Sequence, residues 1–139
     1  MKKMLFTLLL VLISVPSLLN AGVVGKGLKC EAEEDYYGDR NYPYFYYFKD
    51  KRLMESFTIS DIVFEIEVSD YRLDGTDLIK IKHSTFRYTD INRETLISRI
   101  VNRETGQDNS YSCTLFNSRE TIIKELGKII DEGQNKNKF

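Results

Sequence analysis

The chain predicts a small, mainly β domain: an antiparallel β-barrel or sandwich of about seven or eight strands with one C-terminal helix. Three observations predict it. Short runs alternate apolar and polar residues with a period of two, the pattern of a strand with one wet face. Turn residues such as Asp50-Lys51 and Asp74-Gly75 punctuate those runs. After Asn117 the apolar residues change to helical spacing.

The elements follow in order. Met1-Lys2-Lys3, the apolar run from Met4 to Leu19 and the small residue Ala21 have the three-part layout of a secretory signal peptide. Residues 1–21 are therefore expected to be removed, leaving 22–133 as one domain and 134–139 as a disordered tail. Pro16 and Ser17 interrupt the run before it reaches the ~20 apolar residues of a spanning helix, so no stable membrane insertion is expected after cleavage. Leu28, Cys30 and Ala32 alternate with charged neighbours as a first strand. Asp35 to Pro43 reads as a loop. Tyr44 to Phe48 is a strand by composition, with Tyr44, Tyr46 and Phe48 inward and Phe45 and Tyr47 outward. Arg52 to Ile59 returns as a hairpin partner. Ile62, Phe64, Ile66 and Val68 alternate with Val63, Glu65, Glu67 and Ser69, predicting a half-buried strand whose isoleucines, phenylalanine and valine face the core. Leu78 to Lys82 follows, with Ile79 and Ile81 inward. Phe86 and Tyr88 then suggest a change of parity, so a bulge or break is expected near His83-Ser84. Thr85 to Thr89 and Thr95 to Val101 are expected to pair across a turn at 90–93. Arg103 to Asn109 reads as a loop, and Tyr111, Cys113 and Leu115 as the inward face of the last strand. Ile122, Ile123, Leu126, Ile129 and Ile130 form one helical stripe, with Asn117 and Glu120 as a capping box and Gly133 as the stop, giving a helix over 118–132. No internal repeat is evident.

Cys30 and Cys113 are the two cysteines, and both follow the leader. An exported chain with two cysteines is expected to join them, here between the first and last strands.

Composition and motifs exclude several function classes. The chain has 20 basic and 21 acidic residues, and loss of Lys2 and Lys3 makes the remainder mildly acidic. A nucleic-acid binder would show a basic excess. His83 is the single histidine. No Gly-x-Ser-x-Gly elbow accompanies it, so a hydrolytic triad is not expected. With the cysteines paired, too few ligands remain for zinc. Asp70, Asp74 and Asp77 around Gly75 have the wrong spacing for a calcium loop. Alternation alone accounts for Glu65 and Glu67. No catalytic residue, metal or cofactor is therefore expected. The aromatic run from Tyr36 to Phe48 is the one unusual stretch. Its outward rings, Tyr42, Phe45 and Tyr47, are the candidate binding surface, because tyrosine and phenylalanine offer broad, stiff contact area; the alternative is that the helix or the loop before Pro43 covers them.

Lys29-Cys30, the hexapeptide Ile91-Asn92-Arg93-Glu94-Thr95-Leu96 and Cys113 together give the chain a likeness. It resembles small exported two-cysteine proteins of unknown function common in marine alphaproteobacteria, with Ser112 where the usual glutamine stands. That resemblance implies no activity. In architecture alone the chain is similar to periplasmic inhibitors of C-type lysozyme, which are exported β-barrels with a two-cysteine clamp. The expectation is a non-enzymatic binding module, periplasmic or secreted, whose partner is an envelope or extracellular protein. The alternative is a carrier of small apolar ligands with a cavity inside the barrel.

Overall fold

The computed structural model describes residues 22–32, 42–60 and 63–136. The expected leader, residues 33–41 of the loop before Pro43, residues 61–62 with the expected strand position Ile62, and residues 137–139 lie outside the described residues.

Eight strands form a closed antiparallel barrel in sequence order: β1 (Gly27–Ala32), β2 (Tyr44–Phe48), β3 (Leu53–Ser60), β4 (Val63–Asp74), β5 (Leu78–Lys82), β6 (Arg87–Asn92), β7 (Ile97–Asn102) and β8 (Gln107–Phe116). The helix α1 (Arg119–Lys136) follows. Closure is made by β1 and β8, whose register sets Leu28 opposite Leu115 and Cys30 opposite Cys113. The Cys30–Cys113 disulfide thus fastens the seam of the barrel across 83 positions of sequence. A disulfide is consistent with an oxidising compartment.

An eight-stranded barrel is just wide enough to be filled by side chains. Here Leu28, Cys30, Tyr46, Phe48, Met54, Tyr71, Ile79, Ile81 and Ile91 fill it. One end is closed. Val23 and Leu96 pack against this core, and the buried Arg93 donates from Nη1 to the Thr76 carbonyl at 3.1 Å.

Two of the turns use the same tetrapeptide. Asn92-Arg93-Glu94-Thr95 and Asn102-Arg103-Glu104-Thr105 each begin on the last residue of a strand, a short repeat that whole-domain periodicity passes over. In each, the asparagine Oδ1 accepts the backbone N–H groups two and three residues on, the mark of an Asx turn. The next residue takes positive φ in both: Gly106 at 74° and Leu96 at 55°. Glycine adopts that conformation freely, whereas leucine is rare there. Packing of Leu96 over the closed end holds it.

Three expectations need correction. Parity does not change after β5: Ile79 faces Ile91 and Ile81 faces Thr89, so the odd positions of β6 point inward. The 83–86 segment is a tight turn in which Ser84 Oγ accepts the Phe86 and Arg87 amides. Phe86 lies exposed, and Tyr88 is outside, under the Arg103 guanidinium at 5.1 Å. The β6–β7 turn accordingly falls at 93–96 rather than 90–93. The helix also differs at both ends. Ser118, not Asn117, caps it, accepting the Thr121 N–H at 3.3 Å; Asn117 Oδ1 instead accepts from Lys26 Nζ at 3.0 Å. At the far end α1 runs through Gly133 to Lys136, so the first residues of the expected tail are helical.

Glycine decides how close α1 can lie. A Cβ on Gly27 would collide with the Ile122 side chain and sit 3.0 Å from the Tyr46 carbonyl. Gly127 is the opposite case, with nothing within 4 Å of an added Cβ. Its only effect is to loosen the middle of the helix. Gly127→Ala should therefore stabilise the domain by about 0.5–1 kcal/mol in urea titration. No gain would mean that the added methyl does meet a neighbour.

Candidate interaction surface

The outer wall of the barrel has three regions, and side chains of β2, β3, β4 and α1 define the first two. On β2 the alternation is as expected: Tyr44, Tyr46 and Phe48 face in, Phe45 and Tyr47 face out. Outward does not mean exposed, however. Phe45, Phe57, Ile59, Ile122 and Leu126 form a second buried cluster, with Tyr42, Tyr47, Phe64, Phe116, Ile123, Ile129 and Ile130 packed around it. The stripe of α1 and the outer aromatic face of β2 cover each other.

This corrects the candidate binding surface. Phe45 is wholly buried under the helix. Tyr47 and Tyr42 are partly buried at the same contact, and the Tyr42 hydroxyl reaches the Gly133 turn of α1. Both aromatic faces of β2 are core. Two ion pairs flank the docked helix. Arg119 Nε donates to Glu55 Oε2 at 2.7 Å, with Glu55 buried. Lys29 Nζ donates to Glu125 Oε1 at 2.8 Å, and that ammonium holds the Glu125 carboxyl below the usual glutamate range.

The second region is β4, where exposure departs most from what alternation predicts. The register pairs Phe57 with Ile66, Glu55 with Val68 and Ile59 with Phe64. Phe64, Ile66 and Val68 therefore lie on the outer face with Phe57, and Glu65 and Glu67 lie on the inner side with Ser56 and Thr58. The helix packs over β1, β2 and β8 and does not extend across β4. Phe64 only borders the outer cluster, its ring 6.1 Å from Phe57. Ile66 and Val68 are 44% and 54% exposed. The expected dry face of β4 is wet, and Glu65 and Glu67 are also exposed.

β4 is also paired on one side only along most of its 12 residues. It pairs with β3 from Val63 to Asp70, but with β5 only from Tyr71 to Asp74. The Tyr71 N–H donates to the Arg52 carbonyl at 2.8 Å, which fixes the phase of the ladder. Odd-numbered residues of this stretch direct their backbone groups to β3. Phe64, Ile66 and Val68 direct theirs to the open side, and Asp70 stands at the end of the β5 ladder beside the Tyr71–Ile81 pair. Among the described residues no strand meets them there.

The third region begins where β4 and β5 part. A groove of about 550 Å³ runs over the outer wall, lined by Asp70, Arg72, Lys80, Lys82, Asp90 and Arg103 among others. It continues the open side of β4. Asp90 Oδ1 is buried at its floor with no hydrogen-bond partner.

The interior offers less room. Cys30, Met54, Ile81 and Thr89 are fully buried across the barrel's middle. Burial raises the Tyr46 phenol well above its ordinary range. His83 Nε2 lies 2.8 Å from Thr89 Oγ1; partial desolvation, then the Arg87 charge, lower its imidazole below the usual histidine range against the opposing charge of Glu67. At the closed end an apolar cavity lined by Val23, Leu28, Phe48 and Leu96 holds about 40 Å³. A small-molecule site needs several hundred.

Among the described residues no helix is long and apolar enough to cross a membrane. On the barrel wall Lys80, Lys82 and Arg99 point outward, and β5, β6 and β7 have five or six residues each.

The sequence pattern brought Cys30 and Cys113 together and separated the two faces of β2 and of β4. It could not say which outer face α1 covers. Comparison with protein-family models, with curated proteins and with solved structures finds no match.

Proposed function

We propose that this chain is a non-enzymatic binding module of the periplasm or the extracellular space, and that it engages an envelope or extracellular protein through the outer face of β4. One observation carries the proposal: Ile66 and Val68 stand about half exposed, side by side, on a strand with an open edge. A long apolar edge invites association, and natural barrels normally pair, charge or cover it. The disulfide and the leader-like first residues support export. The small closed-end cavity and the filled interior weigh against the apolar-ligand carrier.

The test is capture from envelope extract. Immobilised protein and the double variant Ile66→Lys/Val68→Lys are compared, and captured proteins are identified by mass spectrometry. Both positions are solvent-facing, so the variant should keep its thermal midpoint within a few degrees. A partner held by the native chain and lost, by at least tenfold, from the variant is the expected result. A partner retained equally by both would move the binding face elsewhere.

A further inference from the structure

Resting on that reading, we infer that β4 binds its partner by strand addition, and that the added segment is an extended peptide alternating apolar with basic residues. The backbone argument comes first. Phe64, Ile66 and Val68 aim N–H and C=O groups at the open side, in the spacing of an antiparallel ladder. An added strand would complete the row that β5 leaves unfinished below Tyr71.

Side chains then select the occupant. Cross-strand neighbours on one face interact directly. An added strand meets Ile66 and Val68 on the outer face, which favours apolar residues. On the other face it meets Glu65 and Glu67, both exposed and with no ion pair among the described residues. That face favours lysine or arginine. Alternation of the two is one β-strand with a period of two.

The same charges disfavour a second copy of this chain. About a two-fold axis, even positions of β4 would meet even positions of its mate. Centring the pair on Ile66 sets Glu65 against the mate's Glu67. Centring it between Ile66 and Val68 sets Glu67 against itself. Like charges directly opposite destabilise a ladder. The chain's own segment at 33–41 is likewise a poor occupant, since it carries Glu33, Glu34, Asp35 and Asp39 against a single Arg40.

The experiment titrates the full chain, at low salt, with a synthetic peptide of alternating valine and lysine, capped at both ends. Backbone amide shifts and exchange rates are followed by NMR. Protection should appear at Phe64, Ile66 and Val68. The dissociation constant should rise about tenfold for the double variant Glu65→Lys/Glu67→Lys. Val68→Pro removes an N–H that points to the open side, where an edge strand tolerates proline; it should weaken binding by about tenfold or more while the barrel stays folded. The peptide N-methylated at alternate residues, on the edge facing β4, should lose binding to the same degree, and this control needs no altered protein. Equal binding by the N-methylated peptide would overturn strand addition in favour of side-chain contact. Equal binding by an alternating valine–glutamate peptide would overturn the basic occupant. Concentration-dependent dimers protected at the same amides would replace it with a second copy. If no peptide binds but Ile66→Lys/Val68→Lys still abolishes envelope capture, strand addition falls and the β4 binding face stands. If capture is also unaffected, both fall.

Discussion

Phe45→Ala should cost the domain roughly 3–5 kcal/mol, the range for emptying a buried aromatic site. Phe45 is fully buried between the barrel wall and α1, among Phe57, Ile59, Ile122 and Leu126. Truncation removes its own burial and leaves a cavity bounded by a closed sheet, which cannot collapse inward. Leu126→Ala, on the other side of the same contact, should cost about 2–4 kcal/mol. The double variant should cost less than the two together, because both empty one space. Urea titration of the three variants measures all of this. A Phe45→Ala variant as stable as the native chain would mean that α1 does not cover β2 in solution. It would return Tyr42, Phe45 and Tyr47 to the list of surface residues.

Cys113→Ser should cost about 2–5 kcal/mol, the usual range for losing a native disulfide from a small exported domain. The bond joins residues 83 apart in sequence, and the chain-entropy model gives on the order of 4 kcal/mol for such a loop. The bond also spans the seam at which β1 meets β8. The loss should appear as a lower urea midpoint, and reductant should bring the native chain to the same value. Free thiols in the oxidised native protein, or identical midpoints with and without reductant, would contradict it.

Much of the fold was legible in the residues, for reasons that can be named. The period of two on β1 and β8 put both cysteines inward, and two cysteines facing each other across one seam can be joined. The α1 stripe was legible because helical and strand periods differ. The β6 register was not. Phe86 is apolar but sits in a turn, where no period applies, so its parity says nothing about which face is core. The helix ends shifted because Ser118 competes with its neighbour Asn117 for the cap, and because Gly133 inside an amphipathic helix weakens it without ending it. The surface was the least legible. Alternation assigns Phe45 to one face and Ile66 to another, but burial of an outer face depends on where α1 lies. Its 18 residues give about 27 Å of helix, and they follow β1, β2 and β8. β2 is covered and β4 is left bare. No local pattern in either strand distinguishes the two outcomes.

The open edge of β4 is the feature on which the functional account depends, and residue-resolved amide hydrogen exchange of the free protein tests it most directly. Glu65, Glu67 and Ser69 donate to β3 and should exchange slowly. Phe64, Ile66 and Val68 point to the open side and should exchange at least a hundredfold faster, in strict alternation along the strand. Uniform slow exchange across both sets would show that another part of the chain already occupies the edge, and would contradict the account.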